Sequence, residues 1–579
     1  MLSRMLLTSI FLVCKLLFLS TLANASELQI GKAQQGVLHG GRGDTYTVTL
    51  KAGDYMQSDV DLRDTELVIT VYDPSGSKFR AFRLDSDYGT QVIFIAESTG
   101  TYRLEVGGSE RSKEGNYSIT LTTVVSLDER LAPAPPPELY ESDQIKKLKT
   151  DLSAGRPNAV ADFWKDVTAK TTPLLEPIEG DKQYMRATFL WQGNEATKNV
   201  IVQWYPYTRA WPDDYRMAHL AGTNVWYKTF KINRQARFVY RLTPNAGYLR
   251  STRDRDWAQF RMFMAGGQTD PLNPKHWLHF PDNPEAAKYQ DWSAVEMPDA
   301  PPQPWAAQRP GIPAGTIETE QFKSAMLNNE RDLSIYLPPG YDKRNTRQPY
   351  GLVVLFDGRA YASAKAIPSI IPGSTTLDNL IAEKRIPPVV ALLIDNPPGL
   401  RNFELACNRK FLESLNAEMI PWVRQHYNVT QDPKNTVVAG LSFGGLSAAC
   451  AAFYHPETFG NALSQSGAFS WTPSKSDNPL EFKLIPDPDV EPNWMVKQFL
   501  ASPRIPVRFY LTIGTDEFDP SGRGLDGLTS NRHLRDVLLA KGYEVHYQEY
   551  YGGHDFLSWR GSIADGLIAL IGTGRSLKH

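Results

Sequence analysis

Thr436-Val437-Val438-Ala439-Gly440-Leu441-Ser442-Phe443-Gly444-Gly445 is the stretch on which the reading of the fold turns. Thr436 to Ala439 carries the β-branched and small apolar side chains of a short buried strand. Leu446 to Tyr454, rich in alanine and leucine, reads as a helix. Gly-Leu-Ser-Phe-Gly (440–444) therefore lies at a sharp strand-to-helix turn, which strains the serine and exposes its hydroxyl at the helix N-terminus. Gly440 and Gly444 suit that turn because a side chain at either would collide where strand and helix meet. A serine held this way is poised as a nucleophile and needs a base.

Gly552-Gly553-His554-Asp555 supplies one, after the strand-like run Tyr543 to Tyr551. A neutral imidazole at His554 takes the serine proton during attack and returns it to the leaving alkoxide, a contribution of about 10² to 10⁴ in rate. Between serine and histidine, the strand-like Val507 to Ile513 runs into Gly514-Thr515-Asp516-Glu517. The order serine, acid, histidine is that of an α/β-hydrolase and not of chymotrypsin or subtilisin. Alternation along the loop lets only one of Asp516 and Glu517 face the imidazole, and the loop by itself leaves the choice open. The oxyanion hole calls for the N–H of Phe443, the residue after the nucleophile, and a second N–H from an earlier loop. The buried run Val353 to Phe356 ends in Asp357-Gly358-Arg359, so Gly358 or Arg359 is the expected second donor.

A chain of 579 residues exceeds one core and points to about three domains. Arg4, the apolar run Met5 to Leu22 and the small-residue site Ala23-Asn24-Ala25 read as a signal peptide over 1–25. Lys15 interrupts the apolar run, which disfavours a membrane span, and Val13 before Cys14 disfavours a lipid anchor. An exported protein, periplasmic or secreted and without stable membrane insertion, is expected. Loss of Arg4 and Lys15 takes the basic count from 62 to 60 against 64 acidic residues, a net charge of −4. That balance offers no basic footprint for nucleic acid. With Cys14 removed, only Cys407 and Cys450 remain of three cysteines; an oxidising compartment would allow one bridge between them, but the apolar helix around Cys450 favours free, buried thiols.

The expected architecture is multidomain: two N-terminal β-sandwich domains followed by an α/β-hydrolase domain with a mostly parallel sheet. Residues 27–124 alternate apolar and polar side chains, as in Thr45 to Leu50 and Tyr117 to Thr122, with turns at Asp73-Pro74-Ser75-Gly76 and Ser98-Thr99-Gly100. A Pro-rich linker over 125–158 follows, centred on Pro133 to Pro137. A second β-rich unit, 159–304, holds strands such as Arg186 to Trp191 and Asn199 to Trp204. From Gly315, strands such as Leu333 to Leu337 and Val389 to Ile394 alternate with helices such as Phe411 to His426, the pattern of a parallel sheet between helices, assigned to 315–579. His276 and His279 alone do not make a metal site, which needs three or four converging ligands. No metal and no cofactor is expected.

Two resemblances add to this. Gly100 to Val106 and Gly115 to Ser118 resemble the bacterial pre-peptidase C-terminal domain, a β-sandwich appended to exported enzymes. About residues 160 to 575 resemble the enterochelin esterases. The likeness rests on Val438 to Ser447, Leu463-Ser464-Gln465-Ser466-Gly467, and Gly552 to Asp555 continuing to Leu557-Ser558-Trp559-Arg560-Gly561. Upstream, Phe163-Trp164, Thr188 to Trp191, Gly222 to Tyr227 and Asp270 to Pro274 resemble that family's N-terminal immunoglobulin-like domain. In the wider esterase-D-like group the triad acid sits three residues after the glycine that ends its strand, which implies Glu517 here. Members with this two-domain arrangement are often cytoplasmic, and the export signal and the extra β-sandwich depart from that.

The resemblance implies a serine esterase in which Ser442, His554 and Glu517 hydrolyse a lactone bond of a ferric catecholate siderophore such as enterobactin. That substrate is strongly anionic, so cations should orient it, with Arg401 and then Arg560 the candidates. An ion pair of Arg401 with Glu404, three residues on, is the competing role for Arg401. Two alternatives stand beside this function. One is a feruloyl or acetyl esterase acting on polysaccharide, and the other is a siderophore-binding scaffold with a dead hydrolase domain.

Overall fold

The computed structural model describes residues 25–62, 66–84, 90–108, 112, 114–130, 140–205, 215–246, 265–277, 291–345, 347–362, 371–397, 399–473, 490–518 and 526–574. Residues 1–24 of the signal peptide expected over 1–25, the run Pro133 to Pro137 and His279 lie outside them.

The alternation seen over residues 27–124 folds as two sheets. One has five strands in the order 26–27, 42–50, 100–108, 67–72, 78–84, and the other four in the order 33–38, 115–125, 55–62, 91–95. Leu67, Ile69 and Val71 from one sheet and Val92, Phe94, Ile119 and Leu121 from the other fill a single core. Each such side chain contributes about 1.5–3 kcal/mol on burial. Phe79 meets Phe94 and Tyr102 edge to face, ring centroids 5.6 Å away, and the Phe94 and Tyr102 rings lie tilted at 5.3 Å.

The second β-rich unit again has two four-stranded sheets, in the orders 174–178, 181–192, 225–233, 218–219 and 200–205, 237–244, 292–296, 276–277. Phe189, Val202, Trp226, Phe238, Tyr240 and Leu242 lie between them. Two helices cover one side. The first, Asp143–Ser153, starts at Ser142, whose hydroxyl accepts from the N–H groups of Gln144 and Ile145. Its Ile145 and Leu148 pack with Phe163, Trp164 and Val167 of the second helix, Ala159–Lys170, and with Leu174 and Val225. The linker expected to reach residue 158 therefore ends before Ser142. Proline content marks where the linker is stiffest and says nothing about the polar, amphipathic segment that follows it.

The unit from Gly315 onward is built on an eight-stranded sheet. Its strands are numbered β1 (Thr316–Ser324), β2 (Asn329–Leu337), β3 (Gly351–Phe356), β4 (Val389–Ile394), β5 (Thr436–Leu441), β6 (Asn461–Gln465), β7 (Arg508–Gly514) and β8 (Val545–Tyr550), in the spatial order β1-β2-β4-β3-β5-β6-β7-β8. The pairs β1–β2 and β2–β4 are antiparallel and all others parallel, as the alternation of strand and helix predicts. Successive side chains point to opposite faces, so a strand covered on both sides is apolar at every position. Leu352, Val354, Phe356 and Val438 face one helical layer, which includes Phe443–Tyr454, while Val353, Leu355, Val437 and Ala439 face the other, which includes Phe556–Ile571. The helical run from Phe411 to His426 contains a π-turn over Leu415–Met419 just before Pro421, which lacks the N–H a regular turn would use.

Cys407 and Cys450 form a disulfide, with Cα atoms 5.7 Å apart, and the free thiols expected from sequence are corrected. The apolar character of the Cys450 helix is compatible with either state, and only the fold brings the partner to it. Among the described residues no helix is long and apolar enough to cross a membrane.

Two measurements check these assignments. A protein starting at Tyr140 should unfold at a higher temperature than one starting at Ile145, because the second lacks the Ser142 cap, worth about 1 kcal/mol. Reduction, or Cys450→Ala, should lower stability by about 2–4 kcal/mol in chemical denaturation, since the bridge closes a long loop.

Candidate active site

Ser442 adopts φ 57°, ψ −121° between β5 and the helix Phe443–Tyr454, a conformation of high strain for a side-chain-bearing residue. The close approach that makes this turn possible is visible at its glycines. A Cβ on Gly440 would come within 2.4 Å of the Gly444 carbonyl carbon, and one on Gly445 within 2.5 Å of Ser464 Oγ. The Ser442 N–H donates to the Gln465 carbonyl at 2.9 Å, and its own carbonyl accepts from Ala468 at 3.1 Å.

His554 follows β8, and its Nδ1 lies 2.7 Å from Glu517 Oε2. The turn after β7 explains why the glutamate reaches it. The Glu517 N–H donates back to the Gly514 carbonyl, curling the loop, while the Asp516 N–H is taken by the Gly552 carbonyl. Glu517 is held on its other oxygen by the Gly514 N–H (2.9 Å), Ser466 Oγ (2.6 Å) and Tyr550 OH (3.3 Å). Trp559 Nε1 donates to Ser466 Oγ at 2.9 Å and packs its ring edge-on against His554, centroids 4.7 Å apart. The adjacent residues Gln465 and Ser466 thus tie the serine turn to the histidine–glutamate pair. Among the described residues Ser442 Oγ and His554 share no hydrogen bond, and catalytic bonds of this kind commonly tighten only with substrate bound.

Asp516 makes no bond to the imidazole, and its carboxyl is pushed up to about 6 by desolvation and by neighbouring Glu517. Ser466, Tyr550 and Trp559 were not singled out as site residues from sequence. Ser466 and Trp559 stand in the segments that carry the family likeness, which was the available signal.

The turn Asp357-Gly358-Arg359 lies at the end of β3, beside the serine turn, since a Cβ on Gly444 would sit 3.0 Å from Asp357 Oδ2. The two donors expected there separate. The Arg359 N–H is committed to Asp395 Oδ1 at 2.7 Å, which corrects its assignment to the oxyanion hole. Gly358 and Phe443 each open a helix, where the N–H has no acceptor within the helix.

Arg401 and Arg560 are both engaged. Arg401 grips Asp357 with Nε and Nη2, the latter 2.7 Å from Oδ2. It does not pair with Glu404, which is buried against Arg331 at 2.8 and 2.9 Å and accepts from Asn396. Arg560 bonds to Gln303 and, at 2.9 Å, to Glu296, and lies over the Trp277 ring. With Arg237, Lys275 and Glu296 it lines a cavity of about 430 Å³ between the second β-rich unit and the catalytic domain. The structure therefore gives both arginines ion-pair partners. His276 Nε2 lies 3.1 Å from the Asn273 carbonyl, and among the described residues no group of His, Cys, Asp and Glu could hold a metal ion.

Comparison with known proteins accords with this geometry. The chain matches the family described as enterochelin esterase, N-terminal, over residues 186–306 and the esterase family over 324–570. It is 28% identical over 439 residues to the iron(III) salmochelin esterase of Escherichia coli O6:H1, covering 74% of this chain and 98% of that protein. It is 30% identical over 408 residues to the iron(III) enterobactin esterase of the same organism, covering 67% and 92%. The crystal structure of the enterobactin esterase from Shigella flexneri, determined in the presence of enterobactin, superposes with a TM-score of 0.53 at 29% identity over 70% of this chain and 97% of that one. Fold, site and relatives together make this a carboxylic ester hydrolase. Within that class the chain belongs to the enterochelin esterase family.

Asp555 gives a pH test of the site's packing. It caps the helix Phe556–Ile571 through the Ser558 N–H, its Oδ2 is buried without a partner, and its carboxyl is pushed up to about 7. Burial is the main cause, the Ser558 N–H opposes it, and the charge of Glu517 adds to it. A carboxyl that binds its proton more tightly folded than unfolded supports the fold below its unfolded value and loses that support as pH rises through about 7. Asp555→Asn keeps the cap acceptor, so its denaturation free energy should fall less than that of the wild type between about pH 4 and pH 8.

Proposed function

We propose that this protein hydrolyses the ester bonds of a ferric catecholate trilactone siderophore of the enterobactin type, which helps to release its iron. The observation that carries the reading is the His554–Glu517 bond, 2.7 Å long, joined through Ser466 and Gln465 to the strained Ser442 turn in a chain of this family. In this reading His554 removes the Ser442 proton as Oγ attacks a lactone carbonyl. Glu517 fixes the imidazole tautomer and stabilises the imidazolium. The N–H groups of Phe443 and Gly358 receive the developing oxyanion. Collapse of the tetrahedral intermediate, with the proton returned to the leaving alkoxide, leaves an acyl-enzyme that water hydrolyses by the same route. No step uses a cofactor.

The finer architecture belongs to the same reading: two β-sandwich domains precede an α/β-hydrolase domain. We further infer export to the periplasm, with residues 1–25 removed as a signal peptide. The pattern Ala23-Asn24-Ala25 supports this, and N-terminal sequencing of the protein recovered from a periplasmic fraction would begin at Ser26.

Kinetics on ferric enterobactin test the chemistry. Ser442→Ala and His554→Ala should each lower kcat by about 10³ or more with folding retained, and the double variant should lose about as much as either alone. Glu517→Gln should lower kcat by about 10² to 10⁴, far more than Asp516→Asn. A fluorophosphonate probe should label Ser442 in the wild type. Failure to label would instead support the inactive scaffold, and turnover of a feruloyl ester in preference to the trilactone would support the polysaccharide esterase.

A further inference from the structure

Arg401 and Asp357 are placed to act on the oxyanion hole. Asp357 has φ 59°, ψ 47°, a left-handed conformation uncommon for a residue with a side chain, and its carboxylate makes no capping bond to the short helix Gly358–Tyr361 that it precedes. What holds it is Arg401, through both Nε and Nη2. The other side of the same turn is held by Asp395, which accepts from the Arg359 N–H at 2.7 Å and lies 3.6 Å from Arg359 Nε. The base from which Arg401 reaches is itself fixed. Its helix, Arg401–Leu405, is anchored by the buried Glu404–Arg331 pair, and Cys407 just beyond it is bonded to Cys450 in the helix that begins after Ser442.

We propose that Arg401 is a positioning residue for ester hydrolysis, acting through Asp357 on the Gly358 N–H and the charge around Ser442. It keeps Asp357 in the left-handed conformation that sets where Gly358 begins its helix. It also neutralises a carboxylate that packs against Gly444, where an unpaired negative charge would oppose the oxyanion growing at the Phe443 N–H. This inference rests on the reading of Ser442, Phe443 and Gly358 given above. A role in binding anionic substrate makes a different prediction, because it would matter only for a charged ester and would appear in KM.

The test compares a neutral ester, p-nitrophenyl butyrate, with ferric enterobactin. Arg401→Met should lower kcat by about 10- to 100-fold on both esters, with KM within about twofold of wild type. Adding Asp357→Asn to Arg401→Met removes the unpaired charge and should recover part of kcat on both. Arg401→Lys, which keeps the charge and loses the fork, should fall between, and it carries the comparison if the methionine variant does not fold. A loss confined to ferric enterobactin and expressed as a raised KM would overturn the proposal, as would a double variant no faster than Arg401→Met. Absence of turnover of either ester by the wild type would overturn the esterase reading itself and this inference with it.

Discussion

The strained turn at Ser442 is the constraint on which the rest of the catalytic domain depends. A residue at φ 57°, ψ −121° costs on the order of 1–3 kcal/mol and persists only where its surroundings leave no alternative. Those surroundings are specific. Gly440 lets the strand and helix backbones approach to a distance no side chain would tolerate, and the Ser442 N–H and carbonyl are bound by the last residue of β6 and by the segment after it. The apolar layers on the two faces of β5 then leave the turn no room to relax.

The same segment after β6 carries the polar half of the site. Ser466 joins Glu517, Tyr550 and Trp559 within one network, and Trp559 in turn packs against the imidazole of His554. Each oxygen of Glu517 has a defined donor, which holds the carboxylate in one orientation. Asp516, one residue earlier, lacks such donors apart from its own vicinity and is pushed toward neutrality. The distinction between the two acids is therefore one of hydrogen-bond supply, set by the curl of Gly514 to Glu517 back on itself.

Arginines in this domain brace backbone and domain contacts. Arg331 holds Glu404, Arg401 holds Asp357, and Arg560 reaches Glu296 and Gln303 across the seam to the second β-rich unit. Through Arg560 and the hydrogen bond from the Arg237 N–H to the Tyr551 carbonyl, that unit touches the chain both before and after His554. The second β-rich unit therefore packs against the chain that carries His554.

Local sequence determined much of this protein. The strand-turn-helix around Ser442, the alternation of strands and helices from Gly315 onward, and the two-residue alternation over 27–124 are all legible because they follow from side-chain period and from the few conformations that glycine permits. Family likeness pointed to Glu517 over Asp516, and Glu517 is the acid hydrogen-bonded to His554. Tertiary structure alone decided the rest, because it depends on residues far apart in the chain. The partner of Arg401 is Asp357, 44 positions away, and not Glu404 on its own helix. The Arg359 N–H is lost to Asp395. Cys407 meets Cys450, and the segment from Ser142 to Ser153 folds as a helix because Phe163, Trp164 and Leu174 offer it an apolar face. Period and spacing specify which way a side chain points along its own element, but which long-range partner it meets is set only when the elements pack.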